Sequence, residues 1–186
     1  MKLFFSLLLC VSLTACVSTP RHPSQHLTPE TLRSWTASGK LGIRDRRTAK
    51  AINFKWQHSD EHFDIKLHGA MGIGTTRLTN KEGVVTLKNR DGVRTADSAE
   101  SLLSDVLGWT APVNELTYWI KGLISPESKI ESERRSNEGE LEQLNQQGWQ
   151  IHFVKYHQFE DLKLPKKIVA KRDSLTLTIA IKNWSI

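Results

Sequence analysis

Leu175-Thr176-Leu177-Thr178-Ile179-Ala180-Ile181-Lys182, L-T-L-T-I-A-I-K, alternates large apolar residues with polar or small ones. Side chains of an extended strand point to opposite faces in turn, so this period of two describes a strand with one dry and one wet face. Such strands belong to antiparallel sheets, because parallel strands are covered on both faces and read as unbroken apolar runs. The same alternation recurs upstream. Trp149, Ile151 and Phe153 alternate with Gln150 and His152. Phe63, Ile65 and Leu67 alternate with Asp64 and Lys66, and Ile52, Phe54 and Trp56 with Asn53, Lys55 and Gln57. Trp35, Ala37, Leu41 and Ile43 form a first run, where Gly39 and Gly42 mark a bend or bulge.

Two helices are expected between the early and late strands. Asp97-Ser98-Ala99-Glu100 reads as an N-cap Asp with a capping-box Glu, followed by Leu102, Leu103, Val106 and Leu107 on one face and a stop at Gly108. The second starts near Pro112, places Leu116, Trp119, Ile120 and Leu123 on one face, and is blocked at Pro126. Residues 127–147 are highly charged and leave a short strand or a long turn open. An antiparallel sheet with one long apolar face needs a cover. Two helices suit an open, curved sheet and leave apolar space beneath them.

The N-terminus sets the compartment. Met1-Lys2 precedes thirteen mostly apolar residues, Leu3 to Ala15, too few for a membrane span but right for a signal-peptide core. The segment ends Leu13-Thr14-Ala15-Cys16, which resembles the bacterial lipobox. That resemblance makes 1–15 a signal peptide and Cys16 the acylated first residue. Val17, in place of Asp, points to the outer membrane. Residues 16–32 carry three prolines among polar residues, which reads as a tether, and 33–186 form one domain. The only other cysteine, Cys10, leaves with the signal, so the domain is held by core burial and has no thiol chemistry. The chain carries a formal net charge of +6. In an exported lipoprotein that excess meets anionic headgroups or an acidic protein partner rather than nucleic acid.

Catalytic patterns are weak. His58-Ser59-Asp60-Glu61-His62 matches the H-x-x-E-H zinc-peptidase string, but that motif needs a helix and this stretch separates two strands, so it reads as a polar turn. No cofactor motif, metal-ligand spacing or nucleophile elbow appears, and the chain does not read as an enzyme. Two features do call for a function. Six tryptophans are many for 186 residues and suit either a core or a ligand cavity. The connection His68-Gly69-Ala70-Met71-Gly72-Ile73-Gly74-Thr75-Thr76 places Met71 and Ile73 where a turn is normally polar.

Taken in order, several pieces resemble the LolB family. They are Arg94-Thr95-Ala96-Asp97, Ala99-Glu100, Gly108, Pro112, Asn114, Leu116, Trp119-Ile120 and Gly122-Leu123. Trp149, Tyr156, Leu164-Pro165 and Asn183-Trp184 add the end of the chain, and Trp56 with the glycine-rich loop the beginning. LolA, the soluble carrier of similar fold, is the nearest competitor, and Cys16 argues against it. The resemblance implies a half-barrel antiparallel sheet covered by helices over a hydrophobic cavity. It also implies a monomeric outer-membrane receptor that takes lipoproteins, by their acyl chains, from LolA. Met71, with Ile73 beside it, stands where the family has an exposed apolar residue that enters lipid. Trp56, Phe63, Ile65, Leu67, Trp119, Ile120, Trp149 and Phe153 are candidates for the cavity or the core. The alternative function is a lipid-binding outer-membrane scaffold or lipid sensor.

Overall fold

The computed structural model describes residues 27–60, 62–69 and 74–186. The first six strands are β1 (Ser34–Arg44), β2 (Ala49–Ser59), β3 (His62–His68), β4 (Thr76–Lys81), β5 (Val84–Asn89) and β6 (Gly92–Ala96). Helices α1 (Ala99–Leu107) and α2 (Val113–Trp119) follow. The chain then forms β7 (Ile130–Arg135), β8 (Leu141–Gln146), β9 (Trp149–Phe159), β10 (Leu162–Arg172) and β11 (Leu175–Ser185). All eleven strands join one antiparallel sheet in the order β6-β5-β4-β3-β2-β1-β11-β10-β9-β8-β7. Strands β6 and β7 are its two edges, so the sheet is open.

The expected runs all lie on strands, and their apolar residues share the inner face. Leu177, Ile179 and Ile181 of β11, Trp35, Ala37 and Ile43 of β1, and Phe63, Ile65 and Leu67 of β3 are all buried. The two halves of the sheet meet at the β1–β11 seam. There Ser38 faces Asn183 but Gly39 faces Ile181, so Lys182 is an extra residue and the ladder bulges. The H-x-x-E-H string is a hairpin connection, as read from the sequence: Ser59 pairs with His62, and Asp60 has φ 50°.

The helices differ from expectation in their ends. The N-cap of α1 is Ser98, not Asp97, and its hydroxyl accepts the Ser101 N–H at 3.2 Å. Glu100 therefore does not reach back to a capping box. Its carboxylate instead accepts the Val113 N–H at 2.8 Å and so caps α2, whose own N-cap Pro112 has no side-chain bond to offer. Helix α2 ends at Trp119, well before Pro126. Leu123 N–H bonds to Tyr118 O at 3.1 Å and Gly122 N–H to Trp119 O at 2.9 Å, the paired bonds of a Schellman ending. Gly122 supplies the required left-handed residue, φ 79°. Leu116, Trp119 and Ile120 are buried as their spacing predicts.

Before β1, the chain is fixed to this frame. Leu32 is buried, and the ammonium of Lys121, itself buried just after α2, donates to Leu32 O at 3.3 Å. Burial lowers the Lys121 pKa, with Glu30 acting in the opposite sense.

Candidate functional site

Beneath the helices lies an apolar cavity of about 60 Å³. Its floor is the concave sheet face, from Leu41, Phe54, Trp56, Ile65, Leu67 and Leu78 across to Leu177 and Ile179. Its roof is Leu103 of α1, Val113 and Leu116 of α2, Ile120, and Trp109 and Ala111 from the connector. Alternation explains the floor, since every one of these strand residues has inward parity in the observed register. The roof follows from the amphipathic spacing of two short helices held together by the Glu100–Val113 bond.

Of the eight aromatic and aliphatic candidates, Trp56, Ile65, Leu67 and Ile120 lie on this cavity. Phe63, Trp119, Trp149 and Phe153 do not line it and are buried in the core. Trp119 and Trp149 meet edge to face at 6.2 Å, away from the cavity wall. The Trp119 indole N–H donates to Gln146 Oε1 at 2.9 Å, which fixes it against β8. Phe153 stacks on Tyr156 at 6.1 Å, and Phe63 lies toward the end of the sheet where β1 begins. The other floor residues (Leu41, Phe54, Leu78, Leu177, Ile179) and the other roof residues (Leu103, Trp109, Ala111, Val113, Leu116) are not among the candidates; the sequence reading places Val113, Leu78 and the connector pair Trp109 and Ala111 on no apolar face at all. Trp109-Thr110-Ala111-Pro112 is apolar for a linker, and that was the available signal. Cys16, Met71 and Ile73 lie outside the described residues. The roots of the Met71 loop are placed: Asn53 Nδ2 donates to Gly69 O at 3.5 Å, and Thr76 pairs with Leu67.

One titratable group faces inward near the cavity. His58 is half-buried and stacks on Trp35 at 5.1 Å, and Trp35 also meets Trp56 at 5.3 Å. Burial pushes its pKa down to about 4; Lys121 repels the imidazolium, and Asp60 acts in the opposite sense. The unfolded chain therefore takes up this proton first as pH falls below about 6.5. Stability from this group is full above that pH and is lost as pH falls toward 4, by about 1–2 kcal/mol after allowance for partial exposure. Carboxylates titrate in the same window, so the measurement is a difference. Between pH about 7 and about 4, the stability gap between parent and His58→Phe shifts in the variant's favour, as read from urea midpoints.

The sequence model of the family described as "Outer membrane lipoprotein LolB" matches residues 33–184. The chain belongs to the LolB family. An outer-membrane lipoprotein LolB from Marinomonas sp. (strain MWYL1) is 34% identical over 178 residues, covering 94% of this chain and 92% of the relative. The LolB of Francisella tularensis subsp. tularensis (strain WY96-3418) is 36% identical, covering 100% and 94%. LolB membership places the chain among outer-membrane lipoproteins. Among solved structures, a DUF1329 family protein from Desulfovibrio piger shares the fold at TM-score 0.50 and 7% identity, over 84% of this chain and 86% of that one. A LolA superfamily protein from Nitrosomonas europaea aligns at TM-score 0.48 and 4% identity, over 82% and 86%.

Proposed function

We propose that the chain is a receptor that accepts acylated lipoproteins from the LolA carrier and inserts them into the inner leaflet of the outer membrane. The observation that carries this reading is a wholly apolar cavity between helices and an open sheet, in a chain of the LolB family. Each acyl methylene left in water costs about 0.8 kcal/mol, so three chains cost tens of kcal/mol and must be covered at every step. Transfer then needs only a gradient of affinity, with about 1.4 kcal/mol for each tenfold.

As it stands, the cavity is far below the roughly 300–1,000 Å³ of a ligand-filled pocket. Cargo therefore enters by displacing the roof. The ends of α2 are unequal in this respect. Beyond α2, Gln146 and Lys121 bind the chain firmly to β8 and to Leu32. Helix α1 has, among the described residues, one side-chain hydrogen bond beyond its own cap, which the Glu100 carboxylate accepts from the Val113 N–H. Helix α1 and the connector are the part that lifts.

Met71 and Ile73 then deliver the cargo by entering the bilayer, each worth roughly 1.5–3 kcal/mol when fully buried. The test mixes the chain lacking Cys16 with carrier preloaded with a triacylated lipoprotein and follows the cargo by pull-down. One-way movement onto this chain supports the receptor reading. Cargo that stays on a competent carrier favours a lipid-binding scaffold or sensor. Met71→Glu is expected to accept cargo normally but to deliver it to liposomes at least tenfold more slowly. Normal delivery by that variant removes the loop from the mechanism.

A further inference from the structure

The charges of this protein are sorted by position in the fold. Within the nine strands β1–β6 and β9–β11, Asp64 is the single acidic residue. The other acids of the described chain lie in turns and connectors such as Asp45, Asp91, Asp97 and Glu127, on the helices, or on β7 and β8. Many of the bases on these strands sit on the outer sheet face, opposite the cavity. Across four adjacent strands, Lys55 pairs directly with Lys66, Lys66 with Arg77, and Arg77 with Lys88. All four are exposed. A neighbouring row repeats the pattern, with Lys155 opposite Lys167 and Lys40 one strand beyond Ala180.

Like charges directly opposite across strands are destabilising, so this row opposes the fold it sits on. Among the described residues, Arg77 alone of the four has a carboxylate partner, Asp64. At about 4.8 Å per strand, four cations span roughly 14 Å of gently curved surface. Around them lie Ser38, Gln57, Thr79 and Thr86, with the exposed Val93 paired to Lys88 and the exposed Val84 farther along β5, but no aromatic or long aliphatic anchor of the kind that dominates protein–protein interfaces.

We infer that the outer face of β2–β5 is a docking surface for an anionic lipid bilayer. It lays the sheet along the membrane with the helices turned toward the periplasm. The turns at one end of the strands carry Asp60, Glu82, Glu160 and Asp161 and keep that end off an anionic surface, while the cationic face favours a flat posture. The inference rests on membrane attachment and not on receptor activity, so failure of either leaves the other standing.

The buried core and every described element lie between residues 32 and 185, so a chain beginning at Val17 carries the fold. That unacylated chain is mixed with vesicles containing phosphatidylglycerol or with pure phosphatidylcholine vesicles and sedimented. We expect binding to the anionic vesicles only, weakening steeply as salt shortens the Debye length from about 10 to about 3 Å. At about fivefold per cation, K55Q/K66Q/K88Q is expected to bind roughly 100-fold more weakly. K129Q/R134Q, which removes the same kind of charge away from this face, is expected to bind within a fewfold of the parent. The replaced lysines are exposed, and melting of the triple variant at or above the parent's temperature verifies its fold. Equal binding to both vesicle types, or equal binding by parent and triple variant, overturns the proposal and turns the basic face toward an acidic protein partner.

Discussion

Gly39→Ala is expected to lose about 3 kcal/mol of stability or more. A Cβ added at Gly39 falls 2.0 Å from Ala180 O and 3.0 Å from both Ala180 C and Ile181 Cα. Every one of these atoms is backbone, so no side chain can rotate away. The strands themselves must part, at the bulge where β1 and β11 join the two halves of the sheet. For a domain whose total stability is roughly 5–15 kcal/mol, that is a large fraction. Gly42→Ala is the matched control: its Cβ meets Thr178 Cβ at 3.5 Å, an ordinary contact. Urea titrations should show a much lower midpoint for Gly39→Ala, and a midpoint for Gly42→Ala within about 1 kcal/mol of the parent. Equal midpoints for the two variants would mean that the seam yields without cost.

Gln146→Met is expected to cost about 4 kcal/mol or more. The Gln146 side chain is fully buried and all of its hydrogen-bonding capacity is used. Oε1 accepts from Trp119 Nε1 at 2.9 Å and from Ser125 N at 3.2 Å; Nε2 donates to Ser125 O at 2.7 Å and Ser128 O at 2.9 Å. Methionine fills much the same space but strands four buried polar groups, at about 1–3 kcal/mol each when no relaxation rescues them. The loss also falls on the roof, because Trp119 and Ser125 lie at and beyond the end of α2. Thermal melting would show a drop of roughly 8–16 °C at about 2–4 °C per kcal/mol. Melting within a few degrees of the parent would mean that water or a rearranged loop satisfies these groups.

Much of the fold was legible because one face of the sheet is dry. L-T-L-T-I-A-I-K shows its burial directly, and so do the runs around Trp56 and Phe63. Other strands lacked that signal for separate reasons. Strand β7, I-E-S-E-R-R, is exposed at every position, so nothing makes its residues alternate. Strand β10 contains Pro165, which reads as a strand breaker; it sits where the β9–β10 register shifts, at an irregularity that tolerates a missing N–H. Strands β4 and β5 are six residues each and are rich in Thr and Asn. Their Glu82-Gly83 turn places both residues at positive φ but lacks the usual Asn or Asp. At the site, alternation reveals which face a side chain is on, but not whether a helix sits directly above it. Trp56 and Trp149 therefore look alike in sequence, though one lines the cavity and the other packs in the core. The Glu100 cap on α2 was hidden because its partner is thirteen residues away.

The open sheet ends on one side at β7, whose unpaired backbone edge is a template for another strand. A chain anchored to a bilayer is confined to two dimensions, where edges meet far more often than in free solution. Glu131, Glu133, Arg134 and Arg135 occupy that edge, with Arg134 held to Glu142 and Arg135 to Glu133. Bringing a second such strand alongside would strip water from all of them. The charged edge thus acts as a guard against self-association, letting many copies crowd one membrane without polymerising into a continuous ribbon.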